Sequence, residues 1–193
     1  MRVLFALQLS DDLKQELGRV ARHIRKAIPY GVAFARLEQI HLTLRFIPEI
    51  DKAQVQGLIA AMPSVARELT PFALTLNSCD CFPYHGPLSV IWSTVTEEST
   101  EPVSRCHSLT NAMVLAQGLA IEDKPYVPHI TLGRIRRGMP EEAIRKAVAG
   151  LKVYPVTQTV DAITLFQSDV TIRGAIHTEL HTERLGPPST IIA

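Results

Sequence analysis

The sequence predicts an α+β fold with antiparallel sheets. Short strand-like runs alternate with helix-period segments, several strands are joined by hairpin-length links, and the second half echoes the first. Crossovers of this kind do not make a doubly wound parallel sheet.

Arg2 to Leu9 is an apolar, β-leaning run that stops at Ser10. Ser10 is a natural helix N-cap, and Asp11 and Asp12 suit the positive end of the helix dipole. Leu13, Leu17, Val20 and Ile24 recur at helical spacing, so the helix runs to about Ala27 and ends before Pro29. His41 to Ile47 alternates polar and apolar residues as a half-buried strand does, and Pro48 ends it. Asp51 caps a second helix through Val55, Leu58, Ile59 and Met62. Phe72–Cys81 and Leu88–Val95 read as paired strands around the turn-rich FPYHGP link, and a third helix covers Pro102–Gln117 before Gly118.

In the second half, Val127–Ile135 is another alternating strand. Gly138 to Glu142 opens a helix that stops at Gly150. Tyr154–Phe166 and Ala175–Arg184 supply the last two strands. Residues 1–185 form one domain, and Gly186–Ala193 is expected to be a loose tail.

With 193 residues, 46% of them hydrophobic and 20% charged, the chain buries a core without disulfides or a structural metal and lies outside the disordered classes. The net charge of +1 makes no global case for nucleic acid, so any such site is local. Arg134, Arg136 and Arg137 form one basic cluster; Arg19, Arg22, Arg25 and Lys26 form another that reads as a solvated face. Three cysteines without a CxxC pair, Cys79, Cys81 and Cys106, point to buried thiols in a reducing compartment. No apolar run reaches the length of a membrane span and no signal peptide precedes the first acids, so a cytoplasmic protein without a membrane partner is expected.

The chemistry lies in a duplication, His41-Leu42-Thr43-Leu44 and His129-Ile130-Thr131-Leu132. Residues i and i+2 of a strand face one way, so each copy offers an imidazole and a hydroxyl together and buries two aliphatics. One copy would be ordinary for a structural histidine; two copies, each followed by a turn and a helix, call for a shared task. Phosphodiester cleavage needs a base for the attacking water and an acid for the departing alkoxide, and histidine holds either state near neutral pH. The threonines suit the non-bridging oxygens. No acidic cluster accompanies the pair, so neither a metal nor another cofactor is expected.

At these residues the sequence resembles the two-histidine (2H) phosphoesterase superfamily, and within it the RNA 2′,3′-cyclic phosphodiesterase branch, also called 2′-5′ RNA ligase. The likeness spans RVLFAL, LEQIHLTLRF, LSVIW, YVPHITLGR and TLFQSDVTIRGAIHTEL. It implies two pseudo-symmetric lobes, each with an antiparallel sheet flanked by helices, around a central groove. It implies His41 as proton donor, His129 as proton acceptor, and Thr43 and Thr131 on the phosphate; the symmetry of the motifs by itself leaves the two proton roles open. Phe46 and Arg134, five residues after each histidine, would sandwich the terminal base. The chain departs from the family at Phe46-Ile47-Pro48-Glu49, where a leucine-glycine pair is usual, so the turn is expected to differ.

The implied activity is hydrolysis of a terminal 2′,3′-cyclic phosphate of RNA to a 2′-phosphate. The alternatives are 2′-5′ joining of RNA ends, with tRNA fragments as partners, and non-catalytic binding of RNA ends. A monomer is expected. His177-Thr178-Glu179-Leu180-His181 has the wrong order for a zinc helix and reads as a solvated strand face; His23, His85 and His107 read as surface or locally bonded residues, and Trp92 as core.

Overall fold

The structure is a computed structural model that describes residues 1–120, 125–172 and 174–186. The predicted tail beyond Gly186 lies outside the described residues. In chain order the elements are β1 (Val3–Gln8), α1 (Asp11–Ala27), β2 (Val32–Phe34), a 3₁₀ turn (Leu37–Gln39), β3 (His41–Ile47), α2 (Lys52–Ala66), β4 (Phe72–Phe82), β5 (Val90–Val95), α3 (Glu97–Ala116), β6 (Ile130–Ile135), α4 (Glu141–Ala149), β7 (Thr157–Val160), β8 (Ala162–Thr171) and β9 (Gly174–Arg184).

The caps behave as their residue types dictate. Ser10 accepts from the Leu13 amide to start α1, and Asp51 forms a full capping box with Gln54 to start α2. Several predicted boundaries move. Helix α3 begins at Glu97 rather than Pro102, because Thr96 precedes a first turn carrying Glu97 and Glu98, and Pro102 is carried inside the helix. The predicted strand over Tyr154–Phe166 is two strands: β7 pairs with β4, whereas β8 pairs with β1. Strand β6 starts at Ile130 rather than Val127, and β2, which pairs with β6, had no counterpart in the sequence reading.

All strand pairs are antiparallel, in the order β7-β4-β5-β6-β3-β1-β8-β9, with β2 also on β6. The sheet has two matching halves. The unit strand–helix–motif strand–helix occurs as β1-α1-β3-α2 and again as β5-α3-β6-α4, each extended by two outer strands: β8 and β9 beside β1, β4 and β7 beside β5. Helices α2 and α3 pack on each other, α2 against β8 and β9 and α3 against β3; α4 packs on β4 and against α1. The odd-numbered residues of β1, Val3, Phe5 and Leu7, join the main apolar cluster with Leu13, Leu17, Leu42, Leu44, Leu58 and Leu132. The opposite, even-numbered side of β1 belongs to the face that carries the duplicated motif, where Gln8 is the partner of His41 and Ala6 of Thr43.

Candidate active site

The two halves meet where Leu42 of β3 is the Cα partner of Ile130 of β6. Both side chains are fully buried, which fixes the register, since a slip of one residue would drive them to the solvent side. Continuing that antiparallel register by one residue sets His41 against Thr131 and Thr43 against His129. All four polar side chains then share one face around a local two-fold axis.

The histidines are held alike. His41 Nδ1 donates to the Gln39 carbonyl at 2.8 Å, and His129 Nδ1 donates to the Val127 carbonyl at 2.8 Å. A carbonyl only accepts, so each bond places the proton on Nδ1 and leaves Nε2 as the nitrogen that exchanges a proton. His41 Nε2 lies 3.1 Å from the Thr43 hydroxyl, which joins imidazole and hydroxyl within the first motif. The phenol of Tyr126 donates to the Thr43 carbonyl at 2.9 Å, tying the lead-in to the second motif onto the strand of the first.

Strict alternation from His41 would turn Phe46 away from the groove, and likewise Arg134 from His129. Equivalent bulges correct both. On β3 the partner of Phe5 is Arg45 while that of Ala6 is Thr43; on β6 the partner of Ile91 is Gly133 while that of Trp92 is Thr131. The extra residue puts Leu44 and Arg45, and Leu132 and Gly133, in succession toward the interior and shifts the alternation by one. Phe46, 39% exposed, therefore sits beside Leu4 on the histidine face, and exposed Arg134 takes the equivalent place beside Val90 in the other lobe. The structure brings His41, Thr43, His129 and Thr131 together and sets Phe46 and Arg134 on either side of them.

Comparison with known proteins places this arrangement. A family model described as LigT like phosphoesterase matches twice, over residues 7–92 and again over 95–176, so that each match carries one motif. The chain belongs to this LigT-like phosphoesterase family. Curated relatives named RNA 2′,3′-cyclic phosphodiesterase include one from Methanothermobacter thermautotrophicus, 24% identical over 96% of this chain and 99% of the relative. Another, from Thermotoga maritima, is 24% identical over 94% of each chain. Among solved structures, TT0787 of Thermus thermophilus superposes with a TM-score of 0.77 at 26% identity, covering 96% of this chain and 98% of the other. E. coli LigT complexed with 3′-AMP superposes with a TM-score of 0.73 at 19% identity, over 95% and 97%, a likeness of fold. The LigT-like, two-histidine architecture and its α+β lobes are thus those of this chain.

In this LigT-like phosphoesterase each histidine is also cradled by rings that the sequence did not announce. His129 meets Phe82 and Trp92 edge-on, both at 5.7 Å between centroids, and those two rings stack on each other at 4.4 Å. Trp92 is core, as its apolar surroundings suggested, and serves as the floor under His129. On the other side His41 lies 6.3 Å from Phe166 and 4.7 Å, edge-on, from His177. Phe166 and Phe82 are equivalents: Phe166 is the partner of Leu4 and Phe82 of Val90, the same two positions that pair with Phe46 and Arg134.

The segment is a strand with Thr178 and Glu179 exposed, as read from the sequence, but His177 departs from that solvated face: it is half-buried and lies against His41. A register shift in the β8–β9 hairpin sets His181 opposite buried Leu165 and His177 opposite Ser168, and the His177 ring meets that of His41. There the His177 amide donates to Gln39 Oε1 at 2.5 Å, on the same residue whose carbonyl holds His41. This contact joins residues far apart in the chain and on strands that are not neighbours in the sheet, so no local pattern announces it.

Burial pushes the His41 imidazole down to about 4; the bond to Gln39 opposes this, and nearby His177 and His129 add to it. Burial lowers His177 as well. In the free protein His41 is therefore neutral at pH 7. Among the described residues no three His, Cys, Asp or Glu side chains gather where a metal ion would sit, and no helix is long and apolar enough to cross a membrane.

Proposed function

We propose that this chain hydrolyses the terminal 2′,3′-cyclic phosphate of RNA, cleaving the 3′ ester to leave a 2′-phosphate, with His41 as proton donor and His129 as proton acceptor. The observation that carries the reading is the pair of imidazoles whose Nδ1 atoms are locked on backbone carbonyls across the Leu42–Ile130 axis, so that both Nε2 atoms are the working nitrogens. The relatives named RNA 2′,3′-cyclic phosphodiesterase support the choice of substrate.

His129 Nε2 takes a proton from water as its oxygen forms a bond to phosphorus. On the opposite side the bond from phosphorus to the 3′ oxygen breaks, and His41 Nε2 gives that oxygen a proton. The products are a 2′-phosphate and a 3′-hydroxyl. Thr43 and Thr131 donate to the non-bridging oxygens as charge builds there. His41 must be protonated to act, and the arriving phosphate anion supplies the reason, because an opposite charge at contact favours the imidazolium that burial disfavours. Phe46 and Arg134 flank the phosphate from the two lobes, one offering a ring and the other a guanidinium to the nucleotides of a single-stranded end.

The test is an RNA oligonucleotide ending in a 2′,3′-cyclic phosphate, with the position of the product phosphate mapped. A 2′-phosphate is the expected product. A 3′-phosphate, or no turnover at high enzyme concentration, overturns the reading. Adding an RNA with a 5′-hydroxyl, such as a tRNA half, shows whether that hydroxyl replaces water and yields a 2′-5′ bond.

A further inference from the structure

Beside His41 lies an open recess of about 60 Å³, bounded by Gln8, Lys14, Gln39, Phe166 and His177. One buried water needs roughly 15 Å³, so the space admits a group of several heavy atoms, the size of a phosphate. Two of its lining groups have no assigned work. Lys14, in the first turn of α1, is half-buried, and no ion pair among the described residues engages it. His177 Nδ1 is buried and, among the described residues, has no hydrogen-bond partner, which leaves the proton of the neutral ring free to sit on Nε2.

We propose that this recess is a second phosphate subsite, holding the phosphodiester that links the terminal nucleotide to the rest of an RNA chain, with Lys14 and His177 as its ligands. The inference rests on the proposed hydrolysis for its placement. If His41 protonates the departing 3′ oxygen, the terminal ribose lies on the His41 side of phosphorus, and the chain continues from that ribose's 5′ carbon toward the recess that shares His41 as a wall. Lys14 supplies the positive charge, and His177 offers its Nε2–H to a phosphate oxygen, since its Nδ1 is buried out of reach. Gln39 holds both histidines through its carbonyl and its side chain, which couples the subsite to the reacting centre. Glu38 also borders the recess, but its side chain is exposed and screened, whereas Lys14 is partly withdrawn from water. Such a subsite makes the protein a reader of RNA ends rather than of free cyclic mononucleotides.

The experiment compares the affinity of adenosine 2′-phosphate with that of a dinucleotide ending in the same 2′-phosphate, by calorimetry on the full chain. Turnover of the corresponding cyclic forms is measured in parallel. The wild type should prefer the dinucleotide by about tenfold, the low end for a hydrogen bond to a charged group. Lys14→Gln should abolish that preference and lower the slope of log Kd against log salt by about 0.7, the value for one phosphate contact on a single strand. Lys14→Arg should keep the preference, and His177→Phe, which keeps a ring against His41, should reduce it. Equal affinity for the two ligands in the wild type, or an undiminished preference in Lys14→Gln, overturns the subsite. Failure of the wild type to open cyclic phosphates while the affinity pattern holds would sink the hydrolase reading and leave the subsite standing.

Discussion

Leu42 and Ile130 face each other across the strands that bear the two histidines, and both are fully buried. Their pairing sets the spacing of every polar group in the site. Leu42→Ala removes a buried side chain at that axis and should cost about 2–5 kcal/mol of stability. It should also lower kcat at temperatures where the variant is still folded, because the histidines lose their common reference. Denaturant unfolding and kinetics at low temperature check both halves of this; a destabilised variant with unchanged kcat would show that the axis holds the fold and not the site.

If His41 and His129 serve one transition state, each His→Ala change should cost roughly 10²- to 10⁴-fold in kcat/KM. The double variant should lose less than the product of the two single losses. Steady-state kinetics on an RNA with a cyclic end measure all three, and losses that simply multiply would mean the residues act independently.

The pH profile should distinguish the free enzyme from its complex. Free His41, pushed to about 4 by burial, keeps its proton only in acid, whereas the bound phosphate anion holds the proton on to higher pH. The alkaline limb of kcat/KM, which reports the free enzyme, should therefore lie at lower pH than the alkaline limb of kcat. Coincident limbs would mean that the phosphate does not recharge His41.

The same depressed value has a consequence for stability. An unfolded histidine takes up its proton near pH 6.5, while folded His41 refuses it until about pH 4. The stability it contributes is full above pH 6.5 and is lost as pH falls toward 4, by at most about 3 kcal/mol. Thermal unfolding at pH 7.5 and pH 4.5 should show a smaller loss in His41→Gln than in the wild type; an equal loss would assign the acid sensitivity elsewhere.

Activity should survive exhaustive treatment with EDTA, because the site offers imidazoles and hydroxyls rather than a set of carboxylates for a divalent ion. Turnover lost to the chelator and restored by a metal would contradict the acid–base scheme.

Much of this was legible in the sequence because it is local. Ser10 and Asp51 announce helix starts through short-range hydrogen bonds, and the histidine–threonine pairs announce a shared face through strand alternation. What the sequence hid depends on partners distant along the chain. The division between β7 and β8 follows from pairing with β4 in one half and β1 in the other. The turning of Phe46 and Arg134 toward the groove needs bulges that exist only against β1 and β5. His177 reaches His41 from a far part of the chain, where its amide is held by the Gln39 side chain, and no spacing rule within HTELH could have said so.

The half of the sheet that holds His41 is built from widely separated stretches of chain, with β1 and β3 made early and β8 and β9 made late. During synthesis, then, the first motif is made and waits. Strand β1 keeps one edge open until β8 emerges, and a pairing over so long a separation is slow to form. A chain stopped after β7 would possess both histidines and both threonines, yet it would lack Phe166 and His177 and expose an apolar edge prone to association. Arrival of the β8–β9 hairpin is thus the event that closes the groove, and truncated products should be sticky and inactive rather than partly active.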